Sequence, residues 1–234
     1  MKLLIISDLH GRIVWKEADF SRYGRVVFLG DYTDSFVVDD DTIFNNLSEI
    51  IQLKCRNAAK FILLIGNHDA QYLHFPYYRC SGFRAWAQPA LSTLFTKHEA
   101  LFQIAHQEGT YLFTHAGVSG NWFTRLRTKM QLDEYSDTPG FDVANLLNDV
   151  HRQSLRFRNI LFDVGPKRGG MNSFSGPVWA DRDETRTDFL PGFHQFVGHT
   201  PIDDITTYGS ATGSITYTDV LEKRTKFHEI VIPD

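Results

Sequence analysis

The sequence predicts an α/β fold, α+β in the wider sense. Three observations predict it. Short, near-continuous apolar runs read as strands covered on both faces. Helical patterns lie between several of them. From Ile205 onward the chain turns to Thr, Ile, Val and Tyr, which suits a mixed or antiparallel set of strands. With 234 residues the chain can bury the core of one substantial domain, read here as residues 1–234.

The buried strands are Leu3 to Ser7, Arg25 to Leu29, Phe61 to Ile65, Tyr111 to Thr114 and Phe193 to Val197. Between the second and third, Asp39-Asp40-Asp41 opens a helix, with acid at the positive end of its dipole. Ile43, Leu47, Ile50 and Ile51 continue it at helical spacing. Ala90 to His106 forms another helical pattern through Leu91, Leu94, Phe95, Leu101 and Phe102. Asn121 to Asp133 and Val143 to Asn159 read as helices too. Gly165 to Gly176, rich in Gly, Pro and Ser, reads as a mobile loop. Ile205 to Tyr208, Ser214 to Asp219 and Phe227 to Ile232 are the last strands.

Composition bounds the function. Apolar residues are 42% and charged residues 22%, ordinary for a globular protein in water. A formal net charge of −4 argues against a broad basic surface for duplex nucleic acid. Two cysteines, Cys55 and Cys80, are too few for a disulfide framework and read as free thiols. The apolar run Leu3 to Ile6 is too short for a signal-peptide core, and no stretch has the length of a membrane span. The expectation is a cytoplasmic protein.

The chemistry lies just past the end of each strand. The first runs into Asp8-Leu9-His10-Gly11, and the second into Gly30-Asp31-Tyr32-Thr33-Asp34. The third runs into Gly66-Asn67-His68-Asp69. The fourth and fifth run into Thr114-His115-Ala116-Gly117 and Gly198-His199-Thr200-Pro201. Open α/β sheets bind ligands outside the carboxyl ends of their strands. Any one of these motifs alone reads equally as a cap, a turn or a solvated histidine. Five strand ends delivering Asp, Asn and His to one edge read as a site for divalent metals. Carboxylates such as Asp8 and Asp31 are costly to bury without cations.

In these motifs the chain resembles the calcineurin-like metallophosphoesterases. Within them it is most similar to the phosphoprotein phosphatase branch, with the bacterial and phage protein phosphatases and the symmetrical diadenosine tetraphosphatases. The segment Val178-Trp179-Ala180-Asp181-Arg182 is similar to that branch's tryptophan segment. The resemblance implies a four-layer α/β/β/α sandwich and two metal ions, manganese, iron or zinc. It implies that Asp8, His10 and Asp31 hold one metal. Asp31 then bridges to a second, held also by Asn67, His115 and His199. His68 becomes the catalytic histidine, oriented by Asp34, and Asp69 takes a supporting role. The implied reaction is attack on phosphorus by a water that the metals have acidified, with His68 protonating the leaving oxygen. Asn67, His68 and Arg182 are the implied phosphate contacts.

One position departs from the branch. The arginine that usually follows the last Asp of the second motif is Ser35 here. Arg182 can supply the missing clamp, or it is a surface residue in the run Asp181-Arg182-Asp183-Glu184. Arg168, Arg186 and Lys167 are further candidates. Tyr72, Phe75, Tyr77, Tyr78, Phe83 and Trp86 form either an apolar cluster under a loop or a platform for a base. The substrate is then a phosphorylated protein, or a small molecule or nucleotide. A non-catalytic binding module and a phosphodiester nuclease are the readings from other classes.

Overall fold

Strands β1 (Lys2–Ile6), β2 (Arg25–Phe28) and β3 (Phe61–Leu64) lie side by side and parallel. In the computed structural model, which describes residues 1–132 and 141–233, they form the centre of the first of two compact units. That unit comprises Met1–Gln103 and Thr218–Asp234, and the other comprises Ile104–Tyr217.

In the first unit the sheet order is β10-β1-β2-β3-β4, with β4 at Phe102–Gln103 and β10 at His228–Val231. Only β10 runs antiparallel. The register pairs Ile6 with Phe28 and Phe28 with Leu63. The three strands therefore end level, which brings the motifs after them to one edge. Helix α1 (Asp40–Arg56) starts on Asp39, whose carboxylate accepts the Thr42 N–H at 2.8 Å. It buries Ile43, Leu47, Ile50 and Ile51, each contributing roughly 1.5–3 kcal/mol of apolar burial. Helix α2 (Asn67–Leu73) leaves β3 directly, and α3 (Gln88–Lys97) follows it.

In the second unit the sheet order is β5-β6-β7-β9-β8. The strands are β5 (Ala105–Glu108), β6 (Tyr111–Thr114), β7 (His194–Val197), β8 (Thr206–Ser210) and β9 (Gly213–Tyr217). β6, β7 and β9 run parallel, and β5 and β8 pair antiparallel at the edges. Helices α4 (Gly120–Met130), α5 (Val143–Arg152), α6 (Leu155–Arg158) and α7 (Arg182–Asp188) belong to this unit. No helix among the described residues is long and apolar enough to cross a membrane.

Three sequence readings need correction. The helix expected over Ala90 to His106 stops at Lys97, and Phe102–Gln103 and Ala105–Glu108 are strands. Leu101 and Phe102 lie seven residues beyond Leu94 and Phe95, so they extend the helical pattern by coincidence. Phe102 instead pairs with Leu63 of β3. The helix expected over Val143 to Asn159 breaks after Arg152. There Arg158 donates to the carbonyls of His151 (2.8 Å) and Gln153 (3.3 Å), two carbonyls at the end of α5. The stretch read as a mobile loop is tied down. Ser175 is buried, takes the Gly165 N–H at 3.0 Å, and donates its own N–H to Glu184 at 2.7 Å. The helix expected over Asn121 to Asp133 is α4, and Asp133 lies outside the described residues.

His151 makes stability depend on pH. It is buried in α5 beside Phe162, with ring centroids 6.2 Å apart. Burial, and then the charges of Arg158 and Arg152, push it down from 6.5 to about 4. Above pH 6.5 the ring is neutral in both states and adds no pH dependence. Below it, the unfolded chain binds a proton that the folded chain refuses, so stability falls with pH until about 4. Urea unfolding should show this group costing roughly 2 kcal/mol at pH 5 relative to pH 7. His151→Leu should lack that part of the pH dependence. Equal slopes in the two proteins would show that the ring charges freely when folded.

Candidate active site

Three site residues of the first unit sit on strained backbone. His10, Asp31 and Asp34 have φ of 46°, 54° and 58°, in the left-handed region that non-glycine residues seldom occupy. In the second unit His199, at φ 64°, does the same. Such conformations cost about 1–3 kcal/mol each and concentrate where a site requires them. The turns leave no space for side chains at two glycines. A Cβ on Gly66 would lie 2.0 Å from Asp31 Oδ1, and one on Gly30 would lie 2.4 Å from the Gly66 nitrogen.

Asp69 holds this geometry. It is fully buried. Its carboxylate accepts the backbone N–H groups of Asp31 (2.7 Å), Tyr32 (2.9 Å), Thr33 (3.3 Å) and Gly66 (3.0 Å), and the Thr33 hydroxyl at 3.1 Å. One side chain thus joins the second motif to the third. Gly66 is also the cap residue of α2, so the same carboxylate closes the helix start. Asp31 Oδ1 takes the His68 N–H at 3.0 Å, another free donor of that first turn.

Asp8, His10 and Asp31 each bring a ligand atom within 4.8 Å of the others. His10 Nδ1 lies 2.9 Å from the Thr33 carbonyl and 3.0 Å from the Asp34 carbonyl. Carbonyls only accept, so Nδ1 carries the hydrogen, and in the neutral ring Nε2 presents its lone pair. That lone pair points toward Asp31, with Nε2 3.7 Å from Oδ2. An electron pair facing a carboxylate over that gap suits a shared cation, since ligands at about 2.0–2.2 Å around one ion lie ~3–3.5 Å apart. The donor set therefore fits a divalent metal.

His68 and Asp34 form a second group. Asp34 Oδ2 takes His68 Nδ1 at 2.8 Å, and Asp34 also accepts from the Gln71 amide and the Tyr72 hydroxyl. The His68 ring stands edge-on to His10, with centroids 5.0 Å apart. Burial opposes its charge, but the Asp31 charge and the Asp34 hydrogen bond outweigh burial and push it up to about 12. Bound cations would offset part of the Asp31 contribution. Asn67, at the first position of α2, lies with its amide 3.7 Å from Cys80 Sγ.

In the second unit, His115 and His199 lie one and two residues past the ends of the adjacent parallel strands β6 and β7. Both rings are buried, with His115 Nε2 3.1 Å from His199 Nδ1. Trp179 packs edge-on to His199 at 5.7 Å. Arg182 opens α7 and donates to the Tyr208 hydroxyl at 3.2 Å. Arg168 pairs with Asp181 at 2.8 Å, and Arg186 with Asp183 at 3.2 Å.

Sequence reasoning missed three residues here. Asp219 is buried, and burial followed by the charges of Asp8 and Asp31 pushes it up to about 9. Its only signal was its place as the last residue of the strand read over Ser214 to Asp219. Gln71 is fully buried and ties Asp34 to the Cys80 backbone. Arg84 ion-pairs with Asp40 and donates to the Ser35 carbonyl, so an arginine does reach the position where the branch's clamp is absent. Nothing local marks that contact, which spans 49 residues. Of the aromatic group, Tyr72, Phe75 and Phe83 stack on one another, while Trp86 is 96% exposed.

A strand edge carrying carboxylates, an imidazole and a histidine–aspartate pair offers the donors that a metal-dependent hydrolase uses. The chain belongs to the calcineurin-like phosphoesterase family, which it matches over residues 1–203, and it is a hydrolase acting on phosphoester bonds. A search of curated proteins finds no match. Among solved structures, the cold-active protein-tyrosine phosphatase of a psychrophilic Shewanella species superimposes with a TM-score of 0.52 at 17% identity, over 92% of this chain and 70% of that one. A second structure of a cold-active protein tyrosine phosphatase gives 0.59 at 16% identity, over 92% and 68%. A point mutant of such an enzyme gives 0.55 at 16%, over 92% and 70%. These likenesses show the fold.

Proposed function

We propose that the protein is a two-metal phosphatase that hydrolyses a phosphate monoester, on a protein or a small molecule, with His68 as general acid. The observation that carries this reading is the His68–Asp34 pair 5.0 Å, ring to ring, from His10 of the Asp8–His10–Asp31 cluster. Asp8, His10 and Asp31 would hold one metal. By motif order alone, Asp31, Asn67, His115 and His199 would be the ligands of a second. Bound metals would supply the Lewis acidity that activates water and offsets charge on the phosphoryl oxygens. Manganese, iron and zinc all suit such donors. The family match runs through sequence in both compact units, which supports one phosphoesterase domain over residues 1–234. Two free thiols suit the reducing cytoplasm.

The residues divide the work. Asp34 accepts from His68 Nδ1, stabilises the imidazolium and turns Nε2 away from itself. Nε2 then delivers its proton to the leaving oxygen. Asn67, His68 and Arg182 contact the phosphoryl group in this reading.

The test is hydrolysis of an aryl phosphate with and without manganese, wild type beside His68→Asn. Metal-dependent turnover should fall by about 10²–10⁴-fold in the variant. Equal rates would remove His68 from the chemistry. A nucleotide substrate is the second reading, favoured by the exposed Trp86 and by Phe36, which is 94% exposed two residues after Asp34. Faster turnover of a dinucleotide polyphosphate than of the aryl ester would select it.

A further inference from the structure

Beside the proposed catalytic pair the first unit carries a thiol that the mechanism does not use. Cys80 Sγ lies 3.8 Å from His68 Nδ1. Asp34 Oδ2 lies 2.8 Å from the same nitrogen. The three ligand atoms all fall within 4.8 Å of one another. We propose that Cys80, His68 and Asp34 form a separate inhibitory site for zinc, assembled on the general acid itself.

The geometry suits that ion. Zinc takes sulfur at about 2.3 Å, nitrogen at about 2.0–2.1 Å and carboxylate oxygen at about 2.0–2.2 Å in a tetrahedron. Sulfur and nitrogen on one such ion are ~3.6 Å apart, and nitrogen and oxygen ~3.4 Å. The 3.8 Å separation needs little change, and the 2.8 Å hydrogen bond opens by about half an ångström. Water takes the fourth position. The three ligands share supports, as good metal ligands do. Gln71 donates its amide to Asp34 and accepts the Cys80 N–H at 3.1 Å, so one buried side chain fixes two of them. Tyr72 holds the other Asp34 oxygen. Gly82 backs onto the group, where an added Cβ would lie 3.5 Å from Asp34 Cβ and 3.7 Å from His68 Cε1. Cys80 itself is only half-buried, which leaves a way in.

The thiol separates this site from the proposed two-metal set, whose ligands are Asp, Asn and His. Thiolate favours zinc and disfavours manganese and magnesium. Binding releases the thiol proton to solvent and displaces the proton that His68 Nδ1 shares with Asp34. With the metal on Nδ1, the ring can no longer form the imidazolium that Asp34 stabilises. Zinc therefore removes the general acid and takes none of the proposed two-metal ligands.

The inhibitory part rests on the function proposed above, and the binding part does not. The test uses the full chain with Cys55→Ser, so that Cys80 is its sole thiol. Titration with cobalt(II) should produce a thiolate-to-cobalt charge-transfer band in the near ultraviolet that saturates at one cobalt per thiol. Cys80→Ser and Cys80→Ala should each lose that band while keeping the wild-type circular dichroism. No band, or a band that survives both substitutions, overturns the site whatever the enzyme's activity. In the manganese-loaded enzyme, zinc should inhibit the Cys55→Ser protein at concentrations at least ten-fold lower than either Cys80 variant. A band with equal zinc sensitivity in all three would leave the site as a zinc ligand set and overturn its inhibitory role. Absence of phosphatase activity would count against the proposed function and leave the cobalt result standing.

Discussion

Asp31→Asn should lower kcat/KM for an aryl phosphate by at least ~10⁴-fold and strip metal from the protein. The substitution keeps the shape of the side chain and one oxygen to accept the His68 N–H, now at 3.0 Å. It removes the charge and the second anionic oxygen, the one that faces His10 Nε2 across 3.7 Å. A residue proposed to serve two metals cannot be replaced by a neutral amide with one good acceptor. Metal analysis after dialysis, beside steady-state kinetics and a thermal melt, separates loss of ligand from loss of fold. Full metal content with near-normal turnover would show that Asp31 only shapes the turn.

The largest effect on stability belongs to a residue the proposed mechanism does not use. Asp69→Ala strands four backbone N–H groups, those of Gly66, Asp31, Tyr32 and Thr33. Each buried orphan donor costs about 1–3 kcal/mol, reduced where water enters the space left by the carboxylate. A net loss of about 4 kcal/mol is expected, or roughly 8–15 °C in Tm for a chain of this size. Metal affinity should fall with it, because the same bonds hold Asp31 at its positive φ. A melt within about 3 °C of wild type would mean that water replaces the carboxylate fully.

The two predictions show how differently the site was written into the sequence. Asp31 was legible because it follows an apolar run and a glycine. Asp69 was visible only as a fourth residue in the third motif, with a supporting role. Its importance comes from reaching back 37 residues to the second motif, a contact without local signature. Arg84 and Gln71 were unreadable for the same reason. Their partners Ser35 and Asp34 lie far along the chain, and in isolation each reads as an ordinary polar residue. Helix boundaries failed where side chains at seven-residue spacing met a strand edge, as at Leu101 and Phe102.

What the sequence determined by itself was the class of fold and the kind of chemistry. Near-continuous apolar strands require cover on both faces, and Asp, Asn and His gathered just past them suit cations. Those are local demands of hydrophobic burial and charge solvation, carried by adjacent residues. The tertiary structure alone decided which atoms meet. The level ends of β1, β2 and β3 set the spacing of Asp8, Asp31 and Asn67. Two carbonyls chose the nitrogen that His10 presents. The segment after α2 folded back to lay Cys80 against His68. Backbone hydrogen bonds between distant segments fix such distances to fractions of an ångström, and side-chain chemistry along the chain carries no record of them.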